Sequence, residues 1–170
     1  MKNILKKVLV IVFIAMVSCS NTEPKENFPK EALADTLLAL DGTKTTLENV
    51  LNKYKGKTIV IDIWASWCGD CIKGLPLVNA LQQQTKDSET VYVFLSLDKK
   101  QANWKNAIEK RKIEGDHYFI PSGWEGPIGK SVDLDWIPRY MVVGKDGKIK
   151  LYKAVKANDK KILETVKSDQ

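Results

Sequence analysis

The sequence predicts an α/β fold in which helices cover both faces of a mixed central sheet, giving a three-layer α/β/α sandwich. Two almost continuous apolar runs, TIVIDIWA at residues 58–65 and VYVFLSL at residues 91–97, are typical of strands buried on both faces. Segments with apolar residues every three or four positions alternate with them and indicate helices. Two later strand-like runs flank Asp146-Gly147, which favours a hairpin turn, so the sheet should also contain antiparallel strands.

The first part of the predicted domain begins near Ala32. The segment ADTLLAL is expected to form a strand, and Asp41-Gly42 after it to form a turn. The segment TTLENVLNKYKG predicts a short helix, with Thr45 or Thr46 as its N-cap and Gly56 just after its C-terminus. The buried strand TIVIDIWA follows this helix.

The second part alternates helices and strands. A helix is predicted from Cys68 to about Lys86, and Pro76 inside it should kink it. The segment NWKNAIEKRKIEG should form a helix that ends at Gly115, followed by a short strand or extended segment, DHYFI. PSGWEGPIGKSVDLD is predicted to be a surface loop with one helical turn. The last elements are expected to be a strand at Arg139–Val143, its hairpin partner KIKLYKAV, and a helix capped by Asn158 or Asp159.

The first 18 residues have the pattern of a targeting signal. MKNILKK is basic, and the ten apolar residues at positions 8–17 are too few to span a bilayer but suit a signal peptide. Val17-Ser18-Cys19 resembles the lipobox of bacterial lipoproteins, in which a peptidase cuts before the cysteine and its sulfur carries a diacylglyceryl group. The alternative is an ordinary secretory signal with an incidental cysteine. Residues 19–31, polar and with two prolines, are expected to form a flexible tether.

The charge pattern argues against nucleic-acid binding. Without residues 1–18, the chain has 24 basic and 21 acidic side chains, a net charge of +3. The lysines are scattered, and no basic stripe is interleaved with aromatic residues. The sequence also has no nicotinamide or flavin motif, so we expect no cofactor, and we expect the protein to be a monomer.

Two of the three cysteines lie in the segment WCGDC, at Cys68 and Cys71. A zinc site usually needs two such pairs, whereas this chain has one pair and a single histidine, His117. A purely structural disulfide would close a loop too short to stabilise the fold much. Redox exchange suits the location best, because a helix N-terminus stabilises a thiolate. We therefore expect Cys68 to attack substrates and Cys71, one turn further on, to resolve the mixed disulfide.

Three segments resemble the thioredoxin superfamily. TIVIDIWASWCGDCIKGLP, residues 58–76, is similar to its active-site segment: a strand, Trp-Cys-x-x-Cys, and a helix with a proline five residues after the second cysteine. DWIPRYMVV, residues 135–143, resembles the segment where the superfamily places a cis-proline facing the cysteines. LLALDGTKTTLENVLNKYKGK resembles the N-terminal extension of the extracytoplasmic branch related to the TlpA and ResA proteins. The resemblance covers residues 32–168.

The resemblance implies a thioredoxin-like fold, thiol-disulfide oxidoreductase activity and roles for four residues. Cys68 and Cys71 would be the redox pair, and Pro138, if cis, would shape the groove that receives the substrate chain. Asp62 matches the acid that thioredoxins bury behind the resolving cysteine. A carboxyl in the middle of VIDIW is unusual in itself, because an unpaired buried carboxylate is costly. It could be protonated and shuttle a proton for Cys71, or it could pair with a buried lysine. Trp67 is expected to pack beside the thiols.

The sequence departs from the common thioredoxin pattern at two positions that tune redox potential. Gly69-Asp70 stands between the cysteines in place of Gly-Pro, and Ile137 precedes Pro138 where many reductases have threonine. The charge of Asp70 should raise the pKa of a neighbouring thiolate. We favour a reductant, because Asp62 and the absence of a histidine between the cysteines point away from strong oxidants.

The family resemblance implies a place for this activity. Together with Cys19 as a lipid anchor, it predicts a bacterial envelope protein whose domain faces the periplasm. Its expected substrates are protein disulfides, with the haem-attachment cysteines of apocytochromes c as one class, and its expected electron donor is a membrane thiol relay. The alternative from another class of function is a copper-binding module that uses His117, although copper chaperones on this fold have three residues between their cysteines. Otherwise His117 is expected to be a surface or loop histidine.

Overall fold

The computed structural model of the protein describes residues 25–170. The strands of this part are β1 (Thr36–Ala39), β2 (Lys44–Thr46), β3 (Thr58–Trp64), β4 (Thr90–Ser96), β5 (Asp116–Phe119), β6 (Arg139–Val143) and β7 (Ile149–Ala154). The helices are α1 (Lys30–Leu33), α2 (Leu47–Lys53), α3 (Gly69–Gln84), α4 (Gln101–Arg111), α5 (Pro127–Ser131) and α6 (Lys160–Ser168).

The strands form one mixed sheet in the order β2-β1-β5-β4-β3-β6-β7. The three central strands β5, β4 and β3 are parallel to one another, whereas β1 pairs with β5, and β6 with β3, in antiparallel orientation. Every residue of β3 is buried, as its continuous apolar sequence predicts. The predicted α/β fold with a mixed sheet is confirmed.

The helices lie on both faces of the sheet. Thr85 at the end of α3 hydrogen-bonds the hydroxyl of Tyr92 on β4, and Trp104 of α4 packs against Phe119 on β5. Asp169, just after α6, accepts a hydrogen bond from Thr58 on β3. The strand register places these strand residues on one face, which α3, α4 and α6 therefore cover. Helices α1, α2 and α5 pack near one another on the opposite face.

The caps and turns follow the local sequence. The side chain of Thr46 accepts a hydrogen bond from the backbone of Asn49 at the start of α2, and that of Asp159 accepts one from Lys161 at the start of α6. Both residues are among the predicted N-caps. Gly147, in the predicted hairpin turn between β6 and β7, has a φ of +80°, a conformation that glycine adopts without strain.

Some elements differ from the sequence expectation. β2 was not expected, and α4 ends at Arg111, before the predicted Gly115, because Lys112 takes a left-handed conformation that stops the helix. The packed part of the chain also begins before Ala32. The backbone carbonyl of Glu26 accepts a hydrogen bond from Ile149, Phe28 is buried, and Lys25 contacts Asp133.

The predicted signal peptide at residues 1–18 and the predicted lipid anchor, Cys19, lie outside the described residues. Of the predicted tether, residues 19–31, only 25–31 is described, and this part packs against the domain. Within residues 25–170, none of the helices has the length and apolar composition needed to cross a membrane.

Candidate active site

The two cysteines lie where β3 gives way to α3, on the edge of the sheet at the carboxyl ends of its parallel strands. Cys68 is the N-cap of α3, and Cys71 lies in the first turn. Their sulfurs form a disulfide, with the two Cα atoms 5.3 Å apart. The backbone N–H of Cys71 donates to Sγ of Cys68 over 3.0 Å. A helix N-terminal donor aimed at this sulfur stabilises the negative charge that it carries as a thiolate.

The two sulfurs differ in their access to a partner. Both cysteines are buried, at 6% and 3% exposure, but Cys68 lines an open groove of about 300 Å³ and Cys71 is not one of the described residues that line it. The groove is otherwise lined by Trp67, Gly69, Asp70, Trp124, Trp136 and Ile137. A disulfide that enters the groove therefore meets Cys68 first, and Cys71 reaches only what is already bound to Cys68.

The opposite wall of the groove is the loop that leads into β6. The peptide bond between Ile137 and Pro138 is cis, and the carbonyl oxygen of Ile137 lies 3.6 Å from Sγ of Cys68. Trp136 in this loop and Trp67 beside Cys68 are 56% and 58% exposed, although large apolar side chains are normally buried. These two indoles give the groove an apolar rim on both sides of the sulfur.

Arg139, at the start of β6, holds this loop from behind. It is completely buried, and its guanidinium donates to the carbonyl oxygens of Val132 over 2.6 Å and Asp133 over 3.4 Å. It also forms a 2.5 Å ion pair with Asp135, which in turn pairs with Lys153. Val132, Asp133 and Asp135, which precede Trp136 in the loop, are thus all bonded to Arg139 at the start of β6. The signal for this residue in the sequence is a charged side chain directly after Ile-Pro, at the start of an otherwise apolar strand.

Asp62 lies in the middle of β3, on the face covered by α3, and is buried. Its Oδ1 atom has no hydrogen-bond partner among residues 25–170. Burial raises the pKa of Asp62 to about 8, and the smaller influence of the Tyr140 hydroxyl lowers it. In the described part of the chain, no lysine or arginine nitrogen lies within ion-pair distance of this carboxyl, which does not support the alternative of a buried lysine partner.

His117 is not the surface or loop histidine that we expected. It lies buried on β5, where its ring stacks on Phe94 with the two centroids 4.9 Å apart. Its Nε2 atom is 2.9 Å from the carbonyl oxygen of Ile113, and burial lowers its pKa. A four-residue strand such as DHYF shows no clear alternation, so its burial was not visible in the sequence. Across residues 25–170, no three His, Cys, Asp or Glu side chains come together as metal ligands would.

A disulfide-forming pair at a helix N-terminus, facing a cis-proline across a groove, defines a thioredoxin-like thiol-disulfide oxidoreductase. Known proteins agree with this class. Residues 23–167 match the sequence profile of the Redoxin family, and the chain belongs to this family.

One similar curated protein is the thiol-disulfide oxidoreductase ResA of Bacillus thuringiensis subsp. konkukian, which is 26% identical over 127 residues, or 75% of this chain and 69% of that protein. Two solved structures share the fold. The thioredoxin domain of a thiol-disulfide oxidoreductase of Bacteroides vulgatus matches with a TM-score of 0.66 and 24% identity, covering 80% of this chain and 96% of that one. A thiol-disulfide oxidoreductase of Bacteroides fragilis matches with a TM-score of 0.66 and 21% identity, covering 79% and 98%.

Proposed function

We propose that this oxidoreductase is a lipid-anchored reductant of protein disulfides in the bacterial cell envelope, with Cys68 as the attacking thiol and Cys71 as the resolving thiol. The observation that carries the order of roles is the asymmetry of the pair. Sγ of Cys68 receives the helix N-terminal N–H, and Cys68 lines the groove, whereas Cys71 is not among the described residues that line it. Only Cys68 combines a helix N-terminal donor at its sulfur, which stabilises a thiolate, with a place in the groove lining.

The reaction begins with the reduced pair. The Cys68 thiolate attacks one sulfur of the substrate disulfide, forms a mixed disulfide, and releases the other substrate sulfur as a thiolate that takes up a proton. The Cys71 thiol then loses its proton, and its thiolate attacks Sγ of Cys68. This second attack forms the Cys68–Cys71 disulfide and releases the second substrate sulfur, which is also protonated. Two electrons have then passed from the cysteine pair to the substrate.

Asp62 is proposed to accept the proton that Cys71 loses. Its pKa of about 8 lies close to neutral pH, so the carboxyl is present in both protonation states where the enzyme works. It lies on the face of β3 that α3 covers, and Cys71 belongs to the first turn of this helix. Pro138 is proposed to shape the far side of the groove, where it has no backbone N–H and the neighbouring backbone is left to pair with the substrate chain.

The location is proposed from the N-terminal sequence. Residues 1–18 would be removed as a signal peptide, and Cys19 would carry the lipid, so that the domain faces the periplasm. A membrane thiol relay would return electrons to the Cys68–Cys71 pair. The proposed substrates are disulfides of envelope proteins, including the haem-attachment cysteines of apocytochromes c.

The order of roles can be tested by trapping. Cys71→Ser should accumulate mixed disulfides between Cys68 and its partners, because the resolving attack is lost, whereas the matched variant Cys68→Ser should accumulate few. Mass spectrometry of the trapped partners would name the substrates. Equal trapping by both variants would contradict the assignment.

The direction of electron transfer is tested by the reduction potential of the Cys68–Cys71 pair. We expect about −270 mV, as for thioredoxin, whereas a value of about −120 mV would indicate an oxidant.

A further inference from the structure

Two buried polar side chains lie directly opposite each other beneath the active-site helix. Asp62 on β3 and Tyr140 on β6 are register partners in the antiparallel ladder, so both side chains project from the same face of the sheet. Both residues are buried, at 5% and 1% exposure. Tyr140 follows Pro138 by two residues, so the strand that forms the far wall of the groove also carries this hydroxyl to the acid.

We propose that Tyr140 is a positioning residue for Asp62, whose hydroxyl donates a hydrogen bond to the carboxylate and links it to a second groove that opens to solvent. This inference deepens the proposed function and rests on the proton-accepting role of Asp62. It adds a residue from a strand far from the cysteines in sequence.

The surroundings of Asp62 offer few other donors. On β4, its register partner is Phe94, Tyr92 is engaged with Thr85, and Nε2 of His117 is engaged with the Ile113 carbonyl. The buried Nε1 of Trp64, two residues further along β3 on the same face, is a donor without a partner among residues 25–170. Helix α6 packs through apolar side chains, Ile162 and Val166. Helix α3 contributes the thiol of Cys71 and, in its first turns, the charged residues Asp70 and Lys73, which line the second groove.

Oδ1 of Asp62 has no partner among the described residues, which leaves an acceptor without a donor in a buried site. The influence of Tyr140 on this carboxyl is to lower its pKa, as a donor to the charged form does. In the opposite direction, burial and the proximity of Asp62 raise the pKa of the Tyr140 phenol, so it stays protonated and able to donate. A phenol that donates a hydrogen bond to a carboxylate has both effects: it lowers the pKa of the carboxyl, and its own pKa rises.

The second groove, open to solvent, is lined in part by Tyr140. It has a volume of about 370 Å³, and its lining includes Tyr140, Pro138, Gly74 and Lys73. The hydroxyl lies 3.5 Å from the place where a Cβ on Gly74 would stand, so this glycine leaves room beside it. Asp62 is not one of the described residues that line the groove, and Tyr140 is therefore the polar group between the acid and solvent.

This arrangement provides a route for returning the proton. After Cys71 has given its proton to Asp62, the carboxylic acid passes a proton to the phenol oxygen while the phenol passes its own proton to water in the groove. One proton moves from the carboxyl to solvent, the carboxylate is restored, and Tyr140 is neutral before and after the transfer.

The test compares Tyr140→Phe with Tyr92→Phe, which removes a hydroxyl from the same face of the neighbouring strand. Carbon-13 NMR follows the titration of the Asp62 carboxyl in each reduced protein. Loss of a hydrogen bond to a charged group should raise the Asp62 midpoint in Tyr140→Phe by about one pH unit. Tyr92→Phe should leave the midpoint unchanged. An unchanged midpoint in Tyr140→Phe, or an equal rise in both variants, would overturn the proposal.

The kinetic part uses the small aromatic disulfide DTNB. The first release of thionitrobenzoate reports the attack of Cys68, and the second reports the attack of Cys71. Below both midpoints, Tyr140→Phe should slow the second release about tenfold and leave the first unchanged, since one pKa unit is a factor of ten in ionised carboxyl. Above both midpoints the rates should converge.

Two further variants separate the possible failures. Difluorotyrosine at position 140 keeps the shape but is a stronger donor, so it should lower the Asp62 midpoint, and it remains informative if Tyr140→Phe does not fold. In an Asp62→Asn background, Tyr140→Phe should not slow the second release further. If Asp62→Asn alone leaves the second release at the wild-type rate, the proposed proton role of Asp62 is wrong, whereas the NMR midpoint still judges the Tyr140 pairing.

Discussion

Asp62→Asn should raise the free energy of unfolding and at the same time slow the resolving attack by Cys71. The pKa of Asp62 is about 8 in the folded chain, against an ordinary value of 3.8 for an aspartate in water. Because the pKa is raised, the folded state binds the proton more tightly, and stability is greatest below pH 4 and falls as the pH rises toward 8. At about 1.4 kcal/mol per unit, the loss between these limits is about 6 kcal/mol, of which about 4 kcal/mol has accrued at pH 7.

Asparagine removes this titration but retains a buried amide whose hydrogen-bonding groups are not all satisfied, which costs about 1–3 kcal/mol. At pH 7 the free energy of unfolding should therefore rise by about 1–3 kcal/mol, and its slope between pH 4 and 8 should flatten. Denaturant unfolding of the oxidised protein across this range measures both. With DTNB, the second release, which needs the Cys71 proton to leave, should slow, and the first should not.

Asp98→Asn is the matched control. This aspartate is also buried, but its oxygens accept hydrogen bonds from the backbone and hydroxyl of Ser66 and from the hydroxyl of Ser96. An amide there would face donors with its own N–H groups, so the control should lose stability. If Asp62→Asn is destabilised like Asp98→Asn and its second release keeps the wild-type rate, the Asp62 carboxylate has a structural role and the proton-shuttle argument fails.

Two further predictions concern the anchor and the groove. Cys19→Ala should release the protein from membranes or leave it unprocessed. The wild type should partition into detergent and resist an alkaline wash. Recovery of the wild type in soluble form after cleavage elsewhere would rule out the anchor. Arg139→Met leaves the Val132 carbonyl without its buried donor and should lower the free energy of unfolding by about 2–4 kcal/mol. Lys153→Met, which removes only an exposed partner of Asp135, should cost less than about 1 kcal/mol, and equal losses in the two variants would refute the role of Arg139.

Local patterns were enough to predict most of the fold. The apolar runs gave β3 and β4, and the capping side chains of Thr46 and Asp159 gave two helix starts, because these signals depend on neighbours in sequence. β2 was missed because Lys44–Thr46 is short and polar, and it becomes a strand only by pairing with β1. α1 was missed because its four residues follow a proline in a polar segment and gain their order from packing on α2 and α5.

The features of the candidate site also fall into those with a local sequence signal and those that depend on the tertiary structure. The spacing of Cys68 and Cys71 and the position after a buried strand are local, so the redox pair could be predicted from the sequence. Tyr140 could not be linked to Asp62, because the link is a cross-strand register between positions 78 residues apart, which no local pattern encodes. Likewise, the groove wall formed by Trp124 and Trp136 depends on where a long loop returns to the sheet.

The early start of the packed chain has a consequence for where this enzyme can work. Lys25 and Glu26 are already attached to the domain, through Asp133 and Ile149. If Cys19 carries the lipid, the five residues 20–24 separate it from Lys25, the first attached residue, and the backbone between the two can span at most about 20 Å. The domain would then lie close to the lipid headgroups, joined to them by a short linker. Asp133, which is ion-paired with Lys25 at the end of this linker, belongs to the loop behind the groove. On that condition, the enzyme would serve clients that are themselves held at, or emerging from, the membrane surface, rather than those diffusing through the wider compartment.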